Sequence, residues 1–298
     1  MILVIFMYAL FASTFTLGKA ALAYVSPFLF IGMRMILGGS LLLAYYRLIK
    51  KQKIVIHPAD YSLFACIVLF HIFFAYTLEF WALEYVTSGK ACLLYNLSPF
   101  ITAIFSYFLF TERLSYRQIC GLIIGFLGFI PILVAQTPLE KIGLHVSFLS
   151  IYEIALIASV SSSAYGWMMV KHLINRQYPL LLINGISMTG GGILALLLSL
   201  ATEGFLGLKA TSGEQLIMLS GYCMALVIIA NIIGYNLYGY LLTRYSATFL
   251  SFAGFMTPLF AALLGWLFLG EQVTWHFFAT ISMVILGLYL FYERKLAL

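Results

Sequence analysis

Long apolar runs dominate this chain and follow one another with little polar sequence between them. A transmembrane helix needs about 20 consecutive, mainly apolar residues to cross the hydrocarbon core of a bilayer. Ten such runs occur, at residues 2–22, 27–47, 61–83, 88–110, 116–136, 151–172, 179–200, 216–241, 246–269 and 274–292. Only 9% of the residues are charged, against about 25% in soluble proteins. The sequence therefore predicts an all-α integral membrane protein with ten transmembrane helices.

The basic residues are spread unevenly between the two sets of loops. With the amino terminus placed in the cytoplasm, eleven Lys and Arg residues fall in cytoplasmic loops or the carboxy-terminal tail, and two fall in outer loops. Because cytoplasmic loops carry an excess of Lys and Arg, we expect both termini in the cytoplasm. The net charge of +6 reflects this distribution rather than a single basic patch, so we expect no nucleic acid as a partner.

The two halves of the sequence resemble each other. An apolar run extends from Pro99 to Glu112 and again from Pro258 to Glu271, with a separation of thirteen residues in both cases. The two runs are offset by 159 residues, and several residues of predicted helices 3 and 8 align at the same offset. The chain therefore contains an internal repeat, with this proline-to-glutamate run as the signature of each half.

The number of helices in each half determines how the halves are oriented. Residues 1–138 and residues 139–298 each contain five predicted helices, which is an odd number. The second half must then enter the membrane from the side opposite to the first. We predict two inverted five-helix repeats, an architecture associated with alternating-access transporters.

Taken together, these features resemble the EamA-type branch of the drug/metabolite transporter superfamily, whose members are ten-helix secondary carriers built from two such halves. The resemblance covers nearly the whole chain. It also rests on Phe15 and Lys19 at the end of helix 1, Arg34 after Ser26 and Pro27, and the Tyr165, Gly166, Trp167 stretch of helix 6. One departure is that Phe11 and Ala12 occupy the place of a common Trp-Gly pair. The resemblance implies a central substrate cavity lined mainly by helices 1, 3, 4, 6, 8 and 9, with helices 5 and 10 as peripheral supports.

Ionisable side chains inside the apolar runs are the first candidates for a site, because each costs roughly 2.5–3.5 kcal/mol at a helix centre. Glu79, Arg34, Lys19 and Lys90 all belong to the outer half of the first repeat, and the aligned positions of Arg34, Glu79 and Lys90 in the second are uncharged. This asymmetry is expected if one repeat holds the polar end of a substrate. Two structural interpretations stay open. Lys19 and Lys90 extend to the outer headgroups, or Glu79 forms an ion pair with Arg34 or Lys19.

Polar and aromatic residues recur on one face of helix 3 and one face of helix 8. Their i, i+4, i+7 spacing places them on the same side of a regular helix, and such a face is too polar for lipid. Aromatic residues of helices 1 and 6 offer stacking surfaces. The predicted substrate-binding residues are Glu79, Tyr76, Arg34, Tyr95, Asn96, Asn231, Tyr235, Tyr238, Trp167, Phe15, Lys19 and Lys90.

Motifs of metal sites and hydrolytic enzymes are missing from the sequence. The four cysteines lie inside apolar runs without metal-ligand spacing. There is no H-E-x-x-H, no G-x-S-x-G and no pair of aspartates. His71 stands alone in mid-helix. We therefore expect no metal, no cofactor and no enzymatic activity.

An acid, several bases and many aromatic residues suit a zwitterion that carries a ring or other apolar body. The acid would bind an ammonium or sulfonium group, a base would bind a carboxylate, and the aromatic faces would hold a ring or a cation. We predict a secondary transporter for an amino acid or an amino-acid-bearing metabolite such as S-adenosylmethionine. The family resemblance implies the class of carrier but not its substrate, and S-adenosylmethionine is carried by some members of that family. The alternative is a lipid-linked-sugar or lipid flippase on the same fold, and an intramembrane enzyme is disfavoured.

The expected partners follow from this function. They are a small-molecule substrate, the lipid bilayer, and either a coupling proton or a counter-transported metabolite. We expect a monomeric, multi-pass protein of the bacterial inner membrane. The sequence leaves open the substrate's identity, the direction of transport and the role of Glu79 as ligand, proton carrier or ion-pair partner.

Overall fold

The structure is a computed structural model that describes residues 1–86, 91, 94–136, 150–203, 207–257, 259–260, 263 and 275–291. These residues form helices, joined by short connections, and no strand. The helices are α1 Ile2–Ala21, α2 Pro27–Ile49, α3 Pro58–Tyr85, α4 Ser98–Phe110, α5 Tyr116–Gln136, α6 Ile151–Asn175, α7 Leu180–Thr202, α8 Gly213–Leu242, α9 Ala247–Met256 and α10 Trp275–Phe291.

Five helices in the described part of the chain, α1, α2, α3, α7 and α8, are long and apolar enough to cross a membrane. Shorter apolar helices include α4, α9 and parts of α5 and α10. The all-α architecture with several membrane-length helices is confirmed. The count of ten spans stays a prediction, because three of the predicted spans, 88–110, 246–269 and 274–292, run partly outside the described residues.

Short polar residues between the apolar runs set where several helices begin. Ser150 and Glu153 form a reciprocal capping box at the start of α6, which satisfies backbone N–H groups that have no partner within the helix. Ser246 accepts a hydrogen bond from the backbone N–H of Phe249 at the start of α9. At α2, Pro27 occupies the first turn, where its missing N–H costs nothing.

Glycines allow two pairs of helices to approach closely. A Cβ added to Gly39 of α2 would lie 2.6 Å from the backbone nitrogen of Thr189 on α7, and one added to Gly121 of α5 would lie 2.7 Å from the carbonyl oxygen of Gly287 on α10. In lipid, small residues at such contacts permit the van der Waals packing that holds helices together. The α2–α7 and α5–α10 contacts are therefore backbone-to-backbone interfaces.

Two long helices depart from regular α geometry near their middles. Residues Ile67–Phe74 of α3 form a π-helical segment, and residues Val227–Gly234 of α8 form another. The first residues of the two segments are 160 positions apart, one more than the offset of the repeat. π-Helical turns are rare and are frequently found at functional sites, and both segments lead directly into the helical turns that line the cavity described next.

Candidate functional site

A central cavity lies among helices from both predicted halves. It has a volume of about 180 Å³. Residues from α1, α2, α3, α6, α8 and α9 line it, together with α4 and the segment just before α4. None of the described residues of α5, α7 or α10 does so. The lining helices include the six expected from the family resemblance, and Arg34 adds α2 to that set.

Glu79 is the acidic group of the cavity wall and is only 8% exposed. Its Oε2 accepts a hydrogen bond of 2.7 Å from the hydroxyl of Tyr95. The same hydroxyl lies 3.1 Å from Oγ of Ser159, which in turn donates to the carbonyl oxygen of Ala75. Tyr95, in the segment just before α4, therefore lies between Glu79 of α3 and Ser159 of α6, and its hydrogen bond holds the carboxylate in one orientation.

Arg34 is the basic group of the same cavity and is 1% exposed. Its guanidinium carbon lies 4.9 Å from the ring centroid of Tyr76 and 5.3 Å from that of Phe80, distances at which a cation is attracted to an aromatic face. Its Nε and Nη2 have no hydrogen-bond partner. Among the described residues no carboxylate lies within ion-pair distance of it. The site therefore contains a buried cation with unused hydrogen-bond donors.

Aromatic side chains from α6 and α8 form a further part of the cavity wall. The rings of Trp167 and Tyr238 lie 4.0 Å apart between centroids, at an angle of 31°. Trp167 also contacts Tyr235, whose hydroxyl donates a 2.7 Å hydrogen bond to the hydroxyl of Tyr76. Tyr76 and Tyr235 are separated by 159 residues, the offset of the repeat, so the two aligned tyrosines meet each other at the centre of the molecule.

The other predicted site residues are placed differently. Asn96 lines the cavity, and its Nδ2 has no hydrogen-bond partner. Asn231 is fully buried outside the cavity lining and donates to the sulfur atoms of Met35 and Met188. The side chain of Phe15 and the whole of Lys90 lie outside the described residues.

Lys19 also lies away from the cavity lining. Its ammonium donates to the backbone carbonyl oxygens of Leu83, at 3.1 Å, and Val86, at 2.8 Å. These are carbonyl groups at the end of α3, where a cation complements the helix dipole. Lys19 thus joins α1 to the end of α3, and the described residues contain no ion pair between Lys19 and Glu79.

Hydroxyl groups between α4 and α9 belong to the cavity and were not among the predicted site residues. The hydroxyls of Ser98 and Ser251 lie 2.8 Å apart, and that of Thr102 donates to Ser251 at 3.2 Å. Tyr8 of α1 also lines the cavity and donates to the carbonyl oxygen of Leu250. The four-residue spacing of Ser98, Thr102 and Ser106 is the signal in the sequence that points to this polar stripe.

The EamA-like transporter family matches residues 1–134 and 150–293 of the chain. The chain belongs to the EamA-like transporter family. The predicted resemblance is thereby confirmed over most of the sequence.

Relatives of this EamA-like transporter have names that indicate a transport function. A protein of Chlamydia trachomatis named S-adenosylmethionine/S-adenosylhomocysteine transporter is 31% identical over 288 residues, which cover 96% of this chain and 86% of the relative. The protein of the same name from Chlamydia muridarum is also 31% identical and covers 96% of this chain and 89% of its own. An uncharacterized transporter of Bacillus subtilis is 25% identical over 95% of this chain and 88% of its own.

A protein of known crystal structure shares the fold. It superimposes with a TM-score of 0.73 at 16% identity, over 97% of this chain and 94% of the other. At that identity the likeness concerns the fold alone.

The family assignment settles the broad function. EamA-like proteins are multi-pass membrane transporters, so the predictions of a transporter and of a protein without enzymatic activity are confirmed by the family and by the named relatives. The flippase alternative is not favoured. The described residues contain no group of three or more His, Cys, Asp or Glu side chains placed to hold a metal ion.

Proposed function

We propose that this EamA-like transporter carries S-adenosylmethionine, or a closely similar amino-acid-bearing metabolite, across the membrane by alternating access. The observation that carries the proposal is one cavity that brings together the carboxylate of Glu79, the unpaired guanidinium of Arg34 and the paired rings of Trp167 and Tyr238. The names of the two chlamydial relatives support the same substrate.

Each part of such a substrate has a complementary group in the cavity. The two unused donors of Arg34 match the α-carboxylate, because a guanidinium binds a carboxylate through two parallel hydrogen bonds. Glu79 and the face of Tyr76 would attract the ammonium and sulfonium charges. Trp167 and Tyr238 would stack on the adenine ring, and the unpartnered Nδ2 of Asn96 is a donor for a polar substrate atom.

Features of both halves support two inverted repeats, residues 1–138 and 139–298. The family matches the chain in two separate stretches. Helices that align between the halves contact one another as pairs, α2 with α7 and α5 with α10. The two π-helical segments, Ile67–Phe74 and Val227–Gly234, occupy nearly equivalent positions. Such pairing is expected when a two-fold axis relates the halves.

Salt bridges at the two ends of the bundle support the proposed alternation of the loops between the two membrane faces, while the excess of Lys and Arg places both termini in the cytoplasm. Lys171 Nζ lies 3.2 Å from Glu112 Oε1, and the topology places both residues inside. Lys209 Nζ lies 3.1 Å from Glu84 Oε1, and the topology places both outside. The bacterial inner membrane, a ten-helix count and a monomeric state complete the proposal.

Uptake of radiolabelled S-adenosylmethionine into proteoliposomes tests the substrate. We expect saturable uptake that is absent from protein-free liposomes, competed by unlabelled substrate and by S-adenosylhomocysteine, and little affected by methionine or adenosine alone. A thermal melt offers a second readout, because a ligand at 100 times its dissociation constant stabilises a protein by about 2.7 kcal/mol. If S-adenosylmethionine gives neither uptake nor a shift of the melting temperature, this substrate assignment is wrong.

The same vesicles distinguish exchange of metabolites from transport coupled to a proton. Preloading with S-adenosylhomocysteine accelerates uptake if transport is an exchange, whereas an imposed pH gradient accelerates it if a proton is coupled.

A further inference from the structure

An apolar groove, separate from the central cavity, opens on the flank of the bundle where α2, α7 and α8 meet. It has a volume of about 550 Å³. Its walls include Tyr45, Leu48 and Ile49 at the end of α2, with Leu181 of α7 and Ile232 of α8. Leu48 and Ile49 are 69% and 67% exposed. The polar Asn236 at the groove is already hydrogen-bonded to Asn184 and to a backbone carbonyl, so the groove offers a binding partner mainly apolar surface.

A run of four cations begins among the groove residues at the end of α2 and continues just beyond them in sequence. Arg47, Lys50, Lys51 and Lys53 are all exposed, and within the described residues none of them has an ion-pair or hydrogen-bond partner through its side chain. Lys50 Nζ lies 5.9 Å from the ring centroid of Tyr45, a residue of the groove wall. Lys50 therefore brings one unpaired positive charge close to the groove wall, and Arg47 lies between the lining residues Tyr45 and Leu48 in sequence.

We propose that this groove binds one anionic phospholipid, with an acyl chain along the apolar walls and the phosphate at Arg47 and Lys50. The juxtaposition fits both parts of such a lipid, because a basic cluster at the end of a transmembrane helix attracts anionic headgroups and apolar walls take hydrocarbon. On the topology proposed above the cluster faces the cytoplasmic leaflet. The site is independent of the transported substrate.

Charge argues against a second copy of the chain as the occupant. A symmetric dimer buries the same patch of both subunits, which would bring two clusters of four cations together. A zwitterionic lipid carries no net charge to match the cluster. An anionic lipid supplies the opposite charge and the hydrocarbon at once.

The groove contacts the same helix that carries two aromatic residues of the central cavity. Ile232 belongs to the π-helical segment Val227–Gly234 of α8, and the next turn of that helix carries Tyr235 and Tyr238 of the cavity. A lipid bound here contacts α8 at its irregular segment, so the bilayer's anionic lipid content would act on the helix that forms the aromatic wall.

Native mass spectrometry of the full-length protein tests the site, with equal amounts of phosphatidylglycerol and phosphatidylcholine that carry the same acyl chains. We expect one tightly retained phosphatidylglycerol on a monomer. The variant Arg47→Gln/Lys50→Gln should lose the preference for phosphatidylglycerol by about tenfold. The matched control Arg113→Gln/Arg117→Gln, which removes cations outside the groove, should keep it.

A second variant distinguishes binding of a lipid from binding of a free anion. Ala44 lines the groove, and Ala44→Trp should displace the acyl chain and reduce retention while all four cations remain. Melting temperatures of every variant verify that it is folded. Equal retention of the two lipids by the wild type, unchanged retention in Arg47→Gln/Lys50→Gln or in Ala44→Trp, or a dimer that covers the groove would each overturn the proposal.

Discussion

Arg34 and Glu79 share one cavity without forming an ion pair, and this shapes what the cavity can bind. A buried charge without a partner costs several kcal/mol. Cation–π contacts with Tyr76 and Phe80 offset part of that cost for Arg34, and Tyr95 supplies a donor to Glu79. The remaining binding capacity of both groups is free for a zwitterion, whereas a salt bridge between them would have competed with the substrate.

Glu79→Gln tests the acidic end of the site. The substitution keeps the shape of the side chain and removes its charge, so we expect uptake of S-adenosylmethionine to fall at least about tenfold, in line with a lost charged contact of 1.5–3 kcal/mol. Tyr95→Phe removes one supporting hydrogen bond and should cost only about fivefold. The measurement is initial uptake rate between pH 5.5 and pH 8.5. Intact transport by Glu79→Gln over that range would exclude Glu79 as cation ligand and as proton carrier.

Arg34→Gln tests the basic end, with the methyl ester of the substrate as a probe. We expect about 10- to 100-fold weaker binding of the free carboxylate, while the ester, which lacks that charge, binds wild type and variant nearly equally. Titration by thermal shift or calorimetry gives both affinities. Lys19→Gln is the control, because Lys19 caps the end of α3 outside the cavity, and it should change stability rather than affinity. An equal loss for acid and ester would refute carboxylate recognition.

Trp167→Ala tests stacking on the adenine ring. Removal of a base–aromatic stack costs about 1–3 kcal/mol, so affinity should fall about 5- to 150-fold for S-adenosylmethionine and much less for methionine. Trp81→Ala is a matched control, since Trp81 packs on Tyr152 at 5.3 Å and does not line the cavity. A similar effect of the two substitutions on affinity would speak against the aromatic wall as the ring site.

Individual helices are joined by contacts that leave no room for an extra methyl group. The α2–α7 interface is one example, because a Cβ at Gly39 would meet both the backbone and the hydroxyl of Thr189 and the carbonyl oxygen of Gly185. Backbone atoms cannot move aside as a flexible side chain can. Larger residues at Gly39 would therefore push the two helices apart.

Gly39→Ala should destabilise the protein by about 1–3 kcal/mol, the usual cost of overpacking. Gly221→Ala in α8 is the matched control, because nothing lies within 4 Å of a Cβ built there. Replacing a helical glycine by alanine in open space favours the helix by about 0.5–1 kcal/mol. Thermal melting in detergent should thus lower the midpoint for Gly39→Ala and leave or raise it for Gly221→Ala. The opposite order would contradict close packing of α2 on α7.

Contacts at the two ends of the molecule hold different helices together. At one end Asp60 accepts hydrogen bonds from Arg176 and from the hydroxyl of Tyr178. At the other, the carboxylate of Glu203 after α7 accepts from the backbone N–H groups of Phe28 and Leu29 at the start of α2. Alternating access requires contacts at one end to break while those at the other persist.

Cysteine labelling tests which end faces the cytoplasm. In a background with the native cysteines replaced by alanine, Lys51→Cys should resist a membrane-impermeant maleimide applied to intact cells, and Lys209→Cys should react. Permeabilised cells provide the control, since both positions should then be labelled. The reverse pattern would invert the proposed orientation.

Composition and short-range sequence pattern were sufficient to predict the class of the protein. Apolar runs of membrane length and the repeated proline-to-glutamate segment are local properties of the chain, and they led to an all-α transporter of the EamA type. The sequence also predicted that Glu79, Tyr76 and Arg34 line the cavity. A charge or a polar face in an apolar helix is costly in lipid, so it is expected to face a cavity or the interior of the bundle.

What the sequence by itself determined is therefore the fold class and the cost of burying particular charges, while the tertiary structure decided which groups those charges meet. The spacing of Asn231, Tyr235 and Tyr238 assumed one regular helical face, but Val227–Gly234 is π-helical, and its i→i+5 hydrogen bonds shift the register between Asn231 and the tyrosines. Arg34 likewise lies against aromatic rings rather than beside Glu79. Helical periodicity orients a side chain relative to its own helix, whereas the packing of neighbouring helices chooses its partner.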